Sequence, residues 1–226
     1  MKAFAKLLFF LVLSLVYVNA AASWERLVEL PSENELQEVD LASVKNDLAD
    51  TILAKSSLPS DFPAQFLAML DDPGQGTIWH NYILQKLDTL YLHADATDQR
   101  EAILKRLWKE SRSPSPTFAG TTLMTLQRLN EQRPDVVETS KLSKHAQWVV
   151  DHQAYSNSDR LSALHVLSAI NFKSSASIAR RWLGEDATPL LLKTTAIAVL
   201  GKAPGRKMGS NAKYKETGLG LIYEFY

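Results

Sequence analysis

Few residues of this 226-residue chain have the type and spacing that chemistry requires. Glu110 closes an apolar-periodic stretch that holds Ile103, Leu104, Leu107 and Trp108, and it reads as a solvated glutamate in the last turn of a helix. A carboxyl that served as a general acid/base would have to hold a proton near neutral pH, which requires partial burial. His145 and His152 share a helix face, but seven residues at a rise of ~1.5 Å separate them by about 10.5 Å, whereas zinc holds each nitrogen at about 2 Å. His80, His93 and His165 have no partner at ligand spacing, so neither a metal nor a cofactor is expected. Ser210 and Lys213 have the Ser-x-x-Lys spacing of a serine nucleophile and its lysine base, yet they lie in a tail beside Lys215 and Gly218 rather than opening a core helix, which reads as chance. The chain has no cysteine and no Gly-x-Ser-x-Gly, so it offers neither a thiolate nor a nucleophile elbow.

Around Glu110 the order of short motifs is Glu110-Ser111, then Ala119-Gly120 leading to Leu123-Met124, then Ala154-Tyr155-Ser156-Asn157. This order resembles that of lytic transglycosylases, a resemblance that implies peptidoglycan as substrate and Glu110 as the acid/base. The chain departs from that pattern at Thr125, where the family has glutamine, and at Ser156, where it has asparagine; the spacing from Glu110 to Tyr155 is also short for that domain.

The first residues read as an address. Lys2 and Lys6 precede an apolar run from Leu7 to Val18, and Ala20, Ala21 and Ala22 follow, the layout of a secretory signal peptide over residues 1–20. Cleavage fits after Ala20 or after Ala22. Leu7 to Val18 is 12 residues, against the roughly 20 that a membrane-spanning helix needs. Charged residues interrupt every later candidate, so the mature chain is expected to lack a transmembrane helix and to reside in the periplasm or outside the cell. Without cysteine it has no disulfide framework there and must hold together by packing alone.

Charge is distributed along the chain as a gradient. Residues 21–72 carry 11 acids and 3 bases, residues 73–140 carry 8 of each, and residues 141–226 carry 6 acids and 12 bases. The basic end holds Lys202, Arg206, Lys207, Lys213 and Lys215, which could meet a polyanion or an envelope surface through residues 202–226. Solvated faces of uneven composition are the reading taken here for the gradient, and there is no strong nucleic-acid signal. After this basic stretch Leu219, Leu221, Tyr223 and Phe225 alternate at strand period. The ending is similar to the last strand of outer-membrane barrel proteins, but one strand makes no barrel. Packing of this aromatic segment onto the helices is the expectation taken here, over pairing with a partner sheet or disorder.

The elements that must position these groups all read as helices. Ser32 and Glu35 form a capping box before Leu36, Val39, Val44, Leu48 and Ile52. Phe62, Phe66, Leu67 and Leu70 mark a short second helix, and a third holds Ile78, Trp79, Tyr82, Ile83, Leu87, Leu90 and Tyr91. A fourth starts at Asp98 and stops at Ser111–Pro116, because proline lacks the amide and crowds the preceding turn. Further helices carry Leu123, Leu126 and Leu129; Leu142, Ala146, Val149 and Val150; and, from near Asp159, Leu161, Leu164, Leu167 and Ile170. The last two hold Ile178, Trp182 and Leu183 up to Gly184, and the run from Thr188 as N-cap and Pro189 as first residue to Gly201.

Self-comparison adds a period. Arg160–Leu167 aligns with Lys193–Leu200 at an offset of 33, and Tyr82–Leu87 with Met124–Leu129 at 42; if Leu84, Leu126, Leu167 and Leu200 are equivalent, the spacings are 42, 41 and 33. Such periods belong to stacked helix pairs. Ile178–Leu183, Asp186, Pro189–Lys193, Ala196-Ile197 and Leu200–Lys202 resemble HEAT-like repeats of the phycobilisome-lyase type, in which a basic residue precedes a small one by three positions and Leu-Gly closes the helix. Lys193, Ala196, Leu200 and Gly201 fill those places, while Arg160 and Ala163 repeat the first half and Ser168 stands where the glycine falls. The resemblance covers residues 158–203, extends thinly over 77–157, and implies a scaffold that binds a partner, in the first instance a protein. The expected architecture is therefore all-α: acidic helices over 21–72, an α-solenoid of stacked antiparallel helix pairs over 73–203, and a basic tail over 204–226. An irregular helical bundle is the alternative.

Overall fold

Proline, glycine and short polar runs cut the chain into nine α-helices among the described residues, with one 3-10 turn and no strand. The computed structural model describes Leu27, residues 41–55 and residues 57–202. The helices are α1 (Leu41–Leu53), α2 (Phe62–Ala68, continued by a 3-10 turn over Met69–Asp71), α3 (Thr77–His93), α4 (Thr97–Glu110), α5 (Phe118–Gln132), α6 (Thr139–Asp151), α7 (Asn157–Ile170), α8 (Phe172–Gly184) and α9 (Leu190–Gly201). The all-α expectation holds over the described residues. None of these helices is long and apolar enough to cross a membrane. The expected signal peptide over residues 1–20, the expected Ser32/Glu35 capping box, Arg206, Lys207, Lys213, Lys215 and the run from Leu219 to Phe225 lie outside the described residues.

The chain divides into two compact units. One comprises the described residues up to Ile83 together with Thr89–Arg100. Its core is aromatic: Phe62 stacks on Phe66 at 5.2 Å, and Phe66 meets Trp79 edge-on at 6.0 Å. In α1 the buried side is Ala42, Lys45, Ala49, Ile52 and Leu53, whereas Val44 and Leu48 are half-buried. Small alanines let neighbouring side chains close in, and Lys45 is tolerated inside because its Nζ donates to Gln75 Oε1 at 2.7 Å. The Asp72-Pro73-Gly74 corner is an Asx turn, with Gly74 N donating to Asp72 Oδ1 and Gln75 Nε2 to Asp72 Oδ2, each at 2.8 Å.

The second unit comprises Leu84–Asp88 and the described residues from Glu101 onward. Helix α7 is its hub and packs against α5, α6, α8 and α9, while α5 packs on α6 and α8 on α9. Burial follows the internal alignment: Thr122, Leu123, Thr125 and Leu126 are buried like Ala163, Leu164, Val166 and Leu167, and Ala196 and Val199 like Ala163 and Val166. The Leu84–Asp88 turn joins this unit through α5, where Thr125 Oγ1 donates to Leu84 O at 3.0 Å and Arg128 pairs with Asp88 at 2.7 Å.

One buried carboxylate locks α7 to α5. Asp159 is 1% exposed and accepts hydrogen bonds from Gly120 N at 2.7 Å and Thr117 N at 3.0 Å, so an anion from one helix satisfies the free amides at the start of another. Gly120 permits this approach, because a Cβ there would lie 2.8 Å from Asp159 Cα. Thr117 takes a left-handed conformation, φ 71°, at the cap position of α5. A β-branched residue resists that backbone, and the Asp159 bond helps to hold it.

Two boundaries differ from expectation. Helix α7 begins at Asn157, not at Asp159, because Ser156 is the cap and accepts from Asp159 N at 3.1 Å. Helix α9 begins at Leu190 with Pro189 in the cap position, and Thr188 instead donates its hydroxyl to Glu185 at 3.3 Å.

Candidate functional site

Aromatic and cationic side chains gather in the second unit where the end of α4, the turn at Ser111-Arg112, helix α6 and the turn after it meet. Proline at 114 and 116 stops α4 at Glu110, and this fixes the Ser111-Arg112 corner beside α6. Residues 141, 145, 148 and 152 recur every three or four positions, so α6 and its first following residue present Lys141, His145, Trp148 and His152 along one side. Lys141 Nζ lies 4.3 Å from the centre of the Trp108 ring, and Trp108 meets His145 edge-on at 5.2 Å. Further along, His152 stacks on Trp148 at 3.7 Å while the Arg112 guanidinium sits 5.8 Å from the same ring. Tyr155 closes the surface by donating its hydroxyl to Arg112 O at 3.0 Å. His152 Nδ1 lies 2.7 Å from Trp148 O, which holds the imidazole against the indole.

Beneath this surface is a serine–histidine pair. Ser111 Oγ lies 2.7 Å from His145 Nδ1 and 2.9 Å from Trp108 O. The carbonyl can only accept, so both contacts are satisfied when Ser111 donates to Trp108 O and His145 donates from Nδ1 to the serine oxygen. A ring protonated at Nδ1 donates in this way whether neutral or charged, and its surroundings favour the neutral form. Burial first, then the charges of Arg112 and Lys141, pushes the His145 pKa down from 6.5 to about 4. The distance is that of a nucleophile and its base, but the proton runs the wrong way for activation, and Ser111 is 0% exposed. The pair braces the α4 corner against α6.

Glu110 is the last residue of α4, as its sequence position implied, but it is not solvated: it is 8% exposed. Its Oε1 lies 3.1 Å from Arg106 Nε and 3.9 Å from Lys109 Nζ. The Arg106 contact is an ion pair between residues one turn apart on α4. Tyr155 reaches the Arg112 carbonyl and Ser156 caps α7, so both have partners inside the fold.

The histidines fall in separate places. His145 is buried in the Ser111 pair, and His152 lies at the surface against Trp148. His80 lies 3.1 Å from Met69 O, and His165 is held below its usual pKa by burial and by Lys202. Among the described residues no three His, Asp or Glu side chains are grouped so as to hold a metal ion. Of the basic residues singled out in the tail, the structure describes Lys202, which is exposed at the end of α9. The sequence reading missed Trp108, Lys141, Trp148 and Arg112 as a group, although the 141/145/148/152 spacing carried the signal. No protein-family model, no curated protein and no solved structure matches this chain.

Proposed function

We propose that this chain is an exported, non-catalytic helical-repeat protein that binds a partner protein through the Trp108/Trp148 surface. The observation that carries the reading is Trp148, a large aromatic left 47% exposed yet fixed between His152 and Arg112. An indole held in place before binding loses little freedom on association, and Trp, Tyr and Arg are the residues that dominate interface energetics. The repeat reading is supported by the contacts of the second unit, where helices pack on their neighbours in sequence and α7 also packs on α5 and α9, two helices away on either side. Export rests on the order of Lys2, Lys6, the Leu7–Val18 run and the alanines at 20–22.

Capture from the native envelope or secretome with wild type and Trp148→Ala in parallel tests the surface. A partner held by the wild type and lost by the variant supports the proposal, whereas a partner held equally by both removes it. N-terminal sequencing of the exported chain tests the address: the first residue is Ala21 or Ser23 if the signal reading is right, and a chain retained in the cell with Met1 intact rejects it.

Glu110 as a sugar-cleaving acid has less to rest on, because such a group must face its substrate and Glu110 is nearly covered beside Arg106. Clearing of peptidoglycan by the wild type, abolished in Glu110→Gln, would replace the binding proposal with that enzymatic one.

A further inference from the structure

Two cations of the Trp108/Trp148 surface stand without a counter-ion. Lys141 Nζ and the Arg112 guanidinium each lie over an indole, 4.3 and 5.8 Å from the ring centres, and neither forms an ion pair among the described residues. The neighbouring carboxylates are taken. Glu110 is nearly covered and lies 3.1 Å from Arg106, Asp151 is held by Arg181 at 2.6 Å, and Glu138 accepts from the Ser140 hydroxyl. Lys109 and Lys144 are exposed on the same two helices and add positive charge. Beneath them His145 registers the uncompensated field: after burial, the causes of its lowered pKa are Arg112 and then Lys141, with no carboxylate opposing them.

We propose that the partner segment bound at this surface is acidic, with carboxylates meeting Arg112 and Lys141 and an apolar side chain among them lying on Trp148. This rests on the reading of the surface as a protein-binding site and adds the chemistry of what it binds. Complementary charge selects the partner and speeds encounter, while the fixed indole supplies the apolar contact that holds it. Both cations are already drawn to ring faces, so less side-chain freedom is lost when a carboxylate arrives. A polyanion such as polyphosphate would meet the charges and leave Trp148 unused. A membrane fits less well, because one half-exposed indole is too little apolar surface to enter a bilayer.

The probe is the fluorescein-labelled peptide Glu-Glu-Phe-Glu-Glu, titrated with the full chain by anisotropy beside Gln-Gln-Phe-Gln-Gln and Glu-Glu-Ala-Glu-Glu. An exposed ion pair is worth up to about fivefold, so the first peptide should bind about tenfold tighter than the glutamine control. The alanine control should also bind more weakly, and the preference for glutamate should fade at about 0.5 M salt. In Arg112→Gln/Lys141→Gln that preference should disappear. Equal affinity for the glutamate and glutamine peptides would overturn the proposal, as would no binding of the glutamate peptide at about 1 mM. Tighter binding of polyphosphate or of phosphatidylglycerol vesicles, undiminished by Trp148→Ala, would overturn it in favour of a polyanion or a membrane. The peptide comparison is made on the wild type, so it does not depend on a variant folding, and unchanged circular dichroism establishes that the double variant is folded. Capture of the partner separates the two claims. A partner lost by Trp148→Ala but kept by Arg112→Gln/Lys141→Gln overturns the acidic segment and leaves the binding surface standing, whereas one kept by both removes the surface itself.

Discussion

Replacing Gly120 by alanine separates α5 from α7, and the size of the effect follows from three distances. The new Cβ would lie 2.8 Å from Asp159 Cα, 3.0 Å from Asp159 Oδ1 and 3.0 Å from Ser162 Cβ. Carbon atoms rest at about 3.5–4.0 Å, and the nearest of these is backbone, so the helices must part by about 0.7–1 Å. The bond from Gly120 N to Asp159 Oδ1, now 2.7 Å, then stretches to roughly 3.5 Å and ceases to be one. Overpacking costs about 1–3 kcal/mol, and a hydrogen bond to a buried charge is worth about 1.5–3 kcal/mol. The two overlap, and alanine's helix preference returns up to about 1 kcal/mol. A net loss of about 3 kcal/mol follows, or a melting temperature lower by about 6–12 °C. The same substitution at Gly184 and Gly201, where a Cβ meets nothing within 4 Å, supplies the control. Those variants should be neutral or more stable by up to about 1 kcal/mol. The assay is urea denaturation of all three beside the wild type. If Gly120→Ala falls within about 0.5 kcal/mol of Gly184→Ala, the close approach of α5 and α7 is not a constraint and the argument fails. In a double-mutant cycle, adding Asp159→Ala to Gly120→Ala should cost less than the sum of the two, since the same hydrogen bond is lost in each.

Asp159→Asn should destabilise by about 2 kcal/mol, because one amide oxygen cannot accept from Thr117 N, Gly120 N and Ser156 Oγ as two carboxylate oxygens do; a midpoint unchanged in urea would refute this. His145 binds its proton in the unfolded chain near pH 6.5 but in the folded one only near 4. Its penalty is thus absent above pH 6.5, grows as pH falls, and levels off near pH 4 at no more than roughly 3 kcal/mol. Denaturation of the wild type at pH 7 and pH 5 should show a loss of about 1–2 kcal/mol that His145→Gln lacks, and equal slopes in the two proteins would contradict a buried neutral imidazole. Trp148→Ala should leave the denaturation midpoint within about 0.5–1 kcal/mol of wild type, since the indole is half in solvent, while capture of the partner is lost. A large stability loss instead would make Trp148 a structural residue.

The aromatic surface was only half legible. Lys141, His145, Trp148 and His152 recur at helical spacing and could have been read as one side of α6, but nothing in sequence says that Trp108 and Arg112 lie beside them. Those contacts span 33 residues for Lys141 and Trp108 and 36 for Arg112 and Trp148, and such pairings are set by which helices pack. The same holds for Glu110. Its place at the end of α4 followed from Pro114 and Pro116, whereas its burial did not, because burial depends on what the corner packs against. Periodicity also favoured large residues, and so Ala42, Lys45 and Ala49 in α1 were overlooked in favour of Val44 and Leu48.

The sequence by itself determined the helices and their ends. Proline, glycine and apolar periods act over one or two turns, and the resulting elements are off by a residue or two where Ser156 and Pro189 take the cap positions. Tertiary structure alone decided that Asp159 reaches the start of α5 through the gap left by Gly120, that His145 is neutral against Ser111, and that Trp148 stands braced at the surface. Each of these depends on two segments remote in sequence meeting within a few ångströms, and no local spacing encodes the energy of that meeting.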